Sequence, residues 1–423
     1  MPIIVSSKKN KEENQEETKV KRKYNKKIDS TKYSDIESLR KAYLEQIITK
    51  ISEKTAIFKM SDVKVPTKMS KVLSTGIPSF DIICARTPKG RSGLPVGRQI
   101  ELFGHESSGK TSFACYVVGQ IQKRYGWNAV WLEHENKFDT VWAKKLGVDI
   151  DNALITQPDC FEDTIDYIDS IMDSMPEKKD LTEENKNFGT IIVVDSVASI
   201  PTREELAPSK IKRDKDGNIQ SSIDRQFIGL FARKMSQAQR RLTNRLSKRN
   251  MIIIWINQNR DKIQMGFGKR PGGGVTTPGG KALKFYCAQR WSMNSWSTSN
   301  ERKKGLIRIT IKNEKNNSCN VRPYHKVDLF FNFENGFDYI ESWIDAMNNL
   351  HMVSRRANTI TMNCGEASGS KFTIHKLKEM YEENPVWFYE YEELMKDHIN
   401  SYSEEKGDMS NESENSEDSE TEN

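Results

Sequence analysis

The chain has 423 residues, with 66 Lys plus Arg against 59 Asp plus Glu and a formal charge of +7. That charge is uneven: residues 401–423 carry a net −8, which leaves +15 on the other 400 and fits a basic body that meets a polyanion. No apolar stretch approaches the roughly 18 to 20 residues that span a bilayer, and no apolar segment follows the lysine-rich start, so neither a spanning nor a secreted chain is expected.

Residues 1–34 alternate Lys, Glu, Asn and Ser with few large apolar groups, the composition of a mobile arm. From Ser34 to Ile51 a serine cap precedes Ile36, Leu39, Tyr43 and Ile47 on one helical face. Residues 35–70 are therefore expected to hold a helix and linker, the helix docking on its own core or on a neighbouring subunit. Between Gln99 and Arg290 the pattern repeats strand, turn, helix. Strands are predicted at Gln99–Phe103, Ala129–Glu133, Thr190–Val194 and Met251–Asn257, and helices at Thr111–Tyr125, Thr140–Leu146 and Phe161–Met172. That order predicts an α/β fold with a mostly parallel sheet and a ligand at the carboxyl ends of its strands. Residues 71–337 form the expected core, 338–398 a small mixed domain and 399–423 an acidic tail. The cysteines (Cys84, Cys115, Cys160, Cys287, Cys319, Cys364) contain no CxxC pair, so free, mostly buried thiols in a reducing, cytoplasmic setting are expected.

Gly104-His105-Glu106-Ser107-Ser108-Gly109-Lys110-Thr111 matches GxxxxGK[ST] after a strand and at the start of a helix. Glycines let the backbone curl so that N–H groups face phosphates, Lys110 adds charge at the β and γ oxygens, and the Thr111 hydroxyl can ligate Mg²⁺. Asp195 leaves the apolar run Thr190–Val194, where a carboxylate can support that ion. Glu133 and Glu135, two apart, would share one face of a strand; spacing alone leaves open which is the catalytic base and which is structural.

With these residues the sequence resembles the bacterial RecA recombinase family from about Ser74 to Trp291, and weakly to about Pro385. The most specific stretches are GHESSGKT (Gly104–Thr111), KLGVDIDN (Lys145–Asn152), VVDSVA (Val193–Ala198), MSQA (Met235–Ala238), INQ (Ile256–Gln258) and GGKALKFY (Gly279–Tyr286). The resemblance implies a RecA-type ATPase core with an N-terminal helix and a small α/β C-terminal domain. It implies ATP and Mg²⁺ held by Gly104–Thr111, Ser112 and Asp195, with Thr111 and Asp195 at the metal. It places the catalytic glutamate at Glu135, the adenine-side aspartate at Asp139, the ring that stacks on adenine at Trp142, and the γ-phosphate sensor at Gln258. Phe285 and Lys312 match residues at the subunit interface, but the family's Lys-Asn-Lys reads Lys312-Asn313-Glu314-Lys315 here. His105 replaces a proline and Asn136 a histidine. On this register Glu135→Ala is expected to abolish turnover and Glu133→Ala to be milder.

Two basic loops follow the nucleotide strands. The first, roughly Glu205–Gln226, carries Lys210, Lys212, Arg213, Lys215 and Arg225. The second, Asn259–Lys281, carries Arg260, Lys262, Lys269, Arg270 and a glycine run, with Met265 and Phe267 able to wedge between bases. The cations crowding the helix before Met251 read as a solvated face. The function expected is an ATP-dependent recombinase that forms a helical homo-oligomer on single-stranded DNA and pairs it with a homologous duplex. The rivals are a ring helicase or clock-type ATPase on the same core, and a DNA-coating protein without productive exchange.

Overall fold

The computed structural model describes residues 71–87, 91–206, 212–213, 219–220, 229–261, 275–303, 305–317 and 325–395, with 35, 37–39, 41–45 and 397–398. The chain divides into two units, Met1–Lys68 and Met69–Asn423. In the first, 37–39 and 41–45 are helical, as expected. The capping carboxylate there is Asp35, which accepts the Ser38 N–H (2.7 Å) and hydroxyl (2.8 Å). Ser34, Ile36 and Ile47, the arm at 1–34 and the tail at 399–423 lie outside the described residues.

In the second unit, the central sheet is built from β1 (Arg98–Gly104), β2 (Asn128–Glu133), β3 (Ala153–Thr156), β4 (Thr190–Asp195), β5 (Met251–Gln258), β6 (Gln289–Trp296), β7 (Leu306–Asn316), β8 (Lys326–Asn332) and β9 (Gly336–Phe337). Among the described residues its order is β9-β8-β7-β6-β1-β5-β4-β2-β3. From β6 to β3 every pairing is parallel; β7, β8 and β9 extend the sheet antiparallel. Each of the four predicted strands is present; β2, β4 and β5 run one residue longer than predicted and β1 one residue longer at each end.

The inner parallel strands β1, β2, β4 and β5 are buried on both faces, and period-two alternation sorts their side chains into two cores. Ile252, Ile254 and Ile256 of β5, with Ile191 and Val193 of β4, pack under helix α1 (Lys110–Tyr125) against Phe113, Val117 and Ile121. Met251, Ile253 and Trp255, with Ile192 and Val194, pack on the other face. Helices α2 (Thr140–Lys145), α3 (Phe161–Ser174) and α4 (Leu230–Ser247) follow in the chain, and α3 and α4 supply Ile165, Ile168, Leu242 and Leu246 to that second core. Strand β7 alternates instead, buried at Ile309, Ile311 and Asn313 and half-buried between them, which marks a sheet with one covered face.

Three of the five cations on α4 are paired within the fold. Arg245 pairs with Asp169 and Asp173, Arg241 with Asp169 at 2.5 Å, and Lys234 with Glu162 and Glu204. Residues 338–395 carry their own core of Trp343, Ile344, Met347, Phe388 and Tyr391. Helix Tyr339–Asn349 is capped by Asp338, and three antiparallel strands (Val353–Arg356, Thr359–Met362, Lys371–Thr373) follow before helix Ile374–Glu383. The hydroxyls of Ser79 and Ser342, 2.8 Å apart, tie this lobe to the core. Cys84, Cys115, Cys160 and Cys287 are buried free thiols and Cys364 is half-buried; Cys319 lies outside the described residues. No helix of the described residues is long and apolar enough to cross a membrane.

Candidate nucleotide site

The loop from Gly104 to Thr111 links the carboxyl end of β1 to the start of α1. Gly104 is required sterically: a Cβ there would lie 2.1 Å from the Met293 carbonyl oxygen. Gly109 enters α1 with φ 83°, a left-handed value that costs glycine little. Neither a side-chain cap nor a first-turn acid sits at this helix start, so its amides and dipole are directed at an anion. Lys110 folds over the loop, its Nζ donating to the carbonyls of His105 (2.6 Å) and Gly104 (3.3 Å) and to Ser108 Oγ (3.3 Å). Burial lowers its pKa, opposed by the charges of Asp195, Glu135 and Glu106. His105, Glu106 and Ser107 are exposed, and Ser107 adopts φ 58°.

The Thr111 hydroxyl donates to Asp195 Oδ2 at 2.8 Å. Asp195 is buried, and that burial lifts its carboxyl to about 6 against the Thr111 hydrogen bond, with the Glu135 and Glu133 charges adding to the rise. A carboxylate strained toward its neutral form beside a hydroxyl is an oxygen pair that a divalent cation would relieve.

Glu133 and Glu135 diverge. Strand β2 ends at Glu133, Asn136 adopts φ 55°, and the chain leaves the strand before Glu135, so the expected shared face does not form. Glu133 is buried and its carboxylate accepts the amides of Glu135 (2.9 Å), Asn136 (2.8 Å) and Lys137 (3.1 Å), and Gln157 Nε2 (3.2 Å). Glu135 Oε1 instead accepts from the hydroxyls of Ser196 and Ser199 (3.2 Å) and from Gln258 Nε2 (2.9 Å), while Lys137 lies 3.6 Å from Oε2. Burial pushes the Glu135 carboxyl up, and these donors with Lys137 outweigh it, so it sits below its ordinary value. Glu133→Ala is therefore expected to act on stability rather than directly on turnover. Stranding three turn amides is expected to cost roughly 2–4 kcal/mol of stability, read by denaturant unfolding; an unchanged midpoint would reject this role.

Around the far side of α1, Trp142 Nε1 donates to Ser112 Oγ at 3.2 Å, and its ring lies 5.9 Å from that of Phe333 and 6.1 Å from that of Phe331. Asp139 caps α2 through the amides of Val141 (2.8 Å) and Trp142 (3.1 Å), which fixes the indole. Lys312 pairs with Glu314 at 2.9 Å. A bulge opposite Arg290 and Trp291 leaves Glu314 as the extra residue of β7. Lys315, opposite Arg290, then donates to the carbonyls of Lys284 (2.9 Å) and Phe285 (2.8 Å). Phe285, on helix α5 (Ala282–Tyr286), is 71% exposed.

Of the first basic loop, Lys212 and Arg213 belong to a short antiparallel ladder with Ile219 and Gln220; Lys210 and Arg225 lie outside the described residues. Of the second, Arg260 pairs in the backbone with Thr276; Lys262, Met265, Phe267, Lys269 and Arg270 lie outside them. Residues that the sequence reading missed are Ser196 and Ser199 on Glu135, and the buried group Glu101, Asn257 and Arg290. Polar residues interrupting the apolar runs of β1 and β5 were the available signal for Glu101 and Asn257; Ser196 and Ser199 carry none.

Together the sheet and loop define a phosphate-loop α/β nucleotide-binding protein. The family model of the RecA N-terminal domain matches residues 38–338. Protein RecA of Desulfotalea psychrophila is 40% identical over 219 residues, and that of Mycoplasmopsis pulmonis 42% over 203, so the chain spans about half the length of each (52% and 50%), with 52% and 48% of this chain covered. Protein RecA of Clostridium novyi is 30% identical over 361 residues, covering 84% of this chain and 91% of that one. The chain belongs to the RecA family.

Proposed function

We propose that the protein is an ATP-dependent, DNA-stimulated recombinase that polymerises on single-stranded DNA and pairs it with homologous duplex. The observation that carries this reading is the Gln258–Glu135 hydrogen bond. It joins the carboxylate suited to water activation to the last residue of β5, which leads directly into the basic segment 259–281. ATP would lie on the amides of Gly104–Thr111 with Lys110 at its outer phosphates, beside Ser112, Asp139 and Trp142. The site's residues fit Mg²⁺ as well: the Thr111 hydroxyl and the Asp195 carboxylate, in contact at 2.8 Å, would hold it. When bound, that ion supplies charge neutralisation at the phosphates. Glu135, ionised at neutral pH, orients a water through Oε2 and accepts its proton.

Polymerisation has support in the edge strand β3, where Leu154 is 70% and Ile155 47% exposed. An apolar strand edge of this kind invites pairing with another chain. Residues 71–337 are proposed as the motor, the loops near Lys212 and Arg260 as DNA contacts, and 338–398 as an accessory domain. Lys312 would reach a neighbour's nucleotide.

The test is joint-molecule formation between homologous strands with Mg²⁺, with and without ATP. Pairing only with ATP is expected; coating without pairing would overturn the reading in favour of a regulatory DNA-binding protein. Closed rings with DNA in electron micrographs would favour a helicase.

A further inference from the structure

The central sheet contains a polar group that neither the phosphate site nor the loops require. Glu101 and Asn257 are each fully buried, in strands that are otherwise apolar at their centres. Burying such groups is unfavourable unless each finds partners, and an aliphatic side chain would fill either position more cheaply. Glu101 Oε2 pairs with Arg290 Nε at 2.5 Å, and Oε1 accepts Asn257 Nδ2 at 2.9 Å. The same Nδ2 donates to the Pro278 carbonyl at 3.0 Å, and Asn257 Oδ1 accepts the Gln258 N–H at 2.9 Å. One step on, the Asn259 N–H donates to the Gly104 carbonyl at 3.1 Å.

Asn257 therefore grips three things at once: the strand that enters the phosphate loop, the amide of Gln258, and the backbone where the second basic segment returns. We propose that Asn257 is a positioning residue that couples occupancy of the phosphate loop to the hold of that segment on single-stranded DNA. The Glu101–Arg290 pair is its anchor. A displacement of Gln258 or of the phosphate-loop strand then moves both ends of the segment together, because one rigid amide is bonded to all three. This inference rests on the function proposed above and adds to it the element that links the two sites.

The experiment uses the full chain and a labelled single-stranded oligonucleotide, with affinity read by anisotropy with and without a slowly hydrolysed ATP analogue and Mg²⁺. Asn257→Ala is expected to bind the analogue, and the oligonucleotide alone, within about threefold of the parent, while the nucleotide-induced tightening falls at least about tenfold. If Asn257→Ala does not fold, Asn257→Ser retains a short polar group that reaches neither Glu101 nor Pro278, and the same loss is expected. Tightening equal to the parent's overturns the proposal, as does a uniform fall in every affinity, which marks a purely structural role. Absence of tightening in the parent itself would instead defeat the proposed function, and the coupling role with it.

Discussion

Glu135→Gln is expected to slow ATP hydrolysis by about 10²- to 10⁴-fold, the range for loss of a positioned general base, with nucleotide affinity held within about threefold. The substitution separates charge from geometry. The glutamine oxygen can still accept from Ser196, Ser199 and Gln258, which all meet Oε1, so the link to β5 survives. What is lost is the anionic Oε2, facing Lys137 at 3.6 Å, and with it the acceptor for a water proton. Single-turnover hydrolysis with a fluorescent nucleotide measures both quantities. Turnover within tenfold of the parent would remove Glu135 from the chemistry and leave it as a support for Gln258.

The second large effect falls on Asp195. Its carboxyl rises from 3.8 to about 6, chiefly through burial. The folded state therefore holds a proton that the unfolded chain has released, and stability falls as pH rises from about 4 to about 6. Above that window the ionised carboxylate costs the nucleotide-free protein about 3 kcal/mol, two units at 1.36 each. Asp195→Asn keeps an oxygen for the Thr111 hydroxyl and has no charge to bury. Without nucleotide it should be the more stable protein at pH 7 to 8 by about 1–3 kcal/mol, with this part of the pH dependence flattened. It should also lose the Mg²⁺-dependent part of nucleotide affinity, since a neutral amide oxygen is a poorer partner for the ion. Thermal melts across pH, paired with nucleotide titrations with and without Mg²⁺, test both halves. A variant no more stable than the parent at pH 8 would contradict the burial argument. Stability withheld at a functional carboxylate is a usual consequence of keeping a charge ready for its ligand.

Both predictions concern groups whose positions were legible in the sequence to different degrees. The phosphate loop was fully legible, because its chemistry needs glycines, Lys110 and Thr111 within eight consecutive residues. Asp195 was legible as the polar end of an apolar run, and β4 does carry it to the strand tip. The four predicted strands and three predicted helices follow from periodicities of two and 3.6 that any local window contains. The antiparallel strands β7 and β8 were not foreseen. Their charged residues, such as Lys312 and Lys326, alternate with apolar ones on a half-covered face, and a lone strand of that kind resembles a loop until its partners are known.

Glu133 and Glu135 mark the limit of local reading. Spacing presented them as equals on one strand face. The fold separated them, because β2 ends at Glu133 and the turn that follows needs a carboxylate to hold three amides. Only β4 and β5, brought in from about 60 and 120 residues away, give Glu135 its serines and Gln258. The basic residues of α4 show the same limit: charge counting cannot foresee that the acidic face of α3 packs beside Lys234, Arg241 and Arg245 and neutralises them. The sequence by itself determined the phosphate loop, the strand–helix alternation that makes the core sheet mostly parallel, and the alternation that sorts its two apolar layers, since each depends on neighbours in the chain. Tertiary structure alone decided which carboxylate meets Gln258, which cations are already paired, and that Asn257 bridges β1 to Pro278, because hydrogen bonds and ion pairs depend on distances set between strands that the sequence keeps far apart.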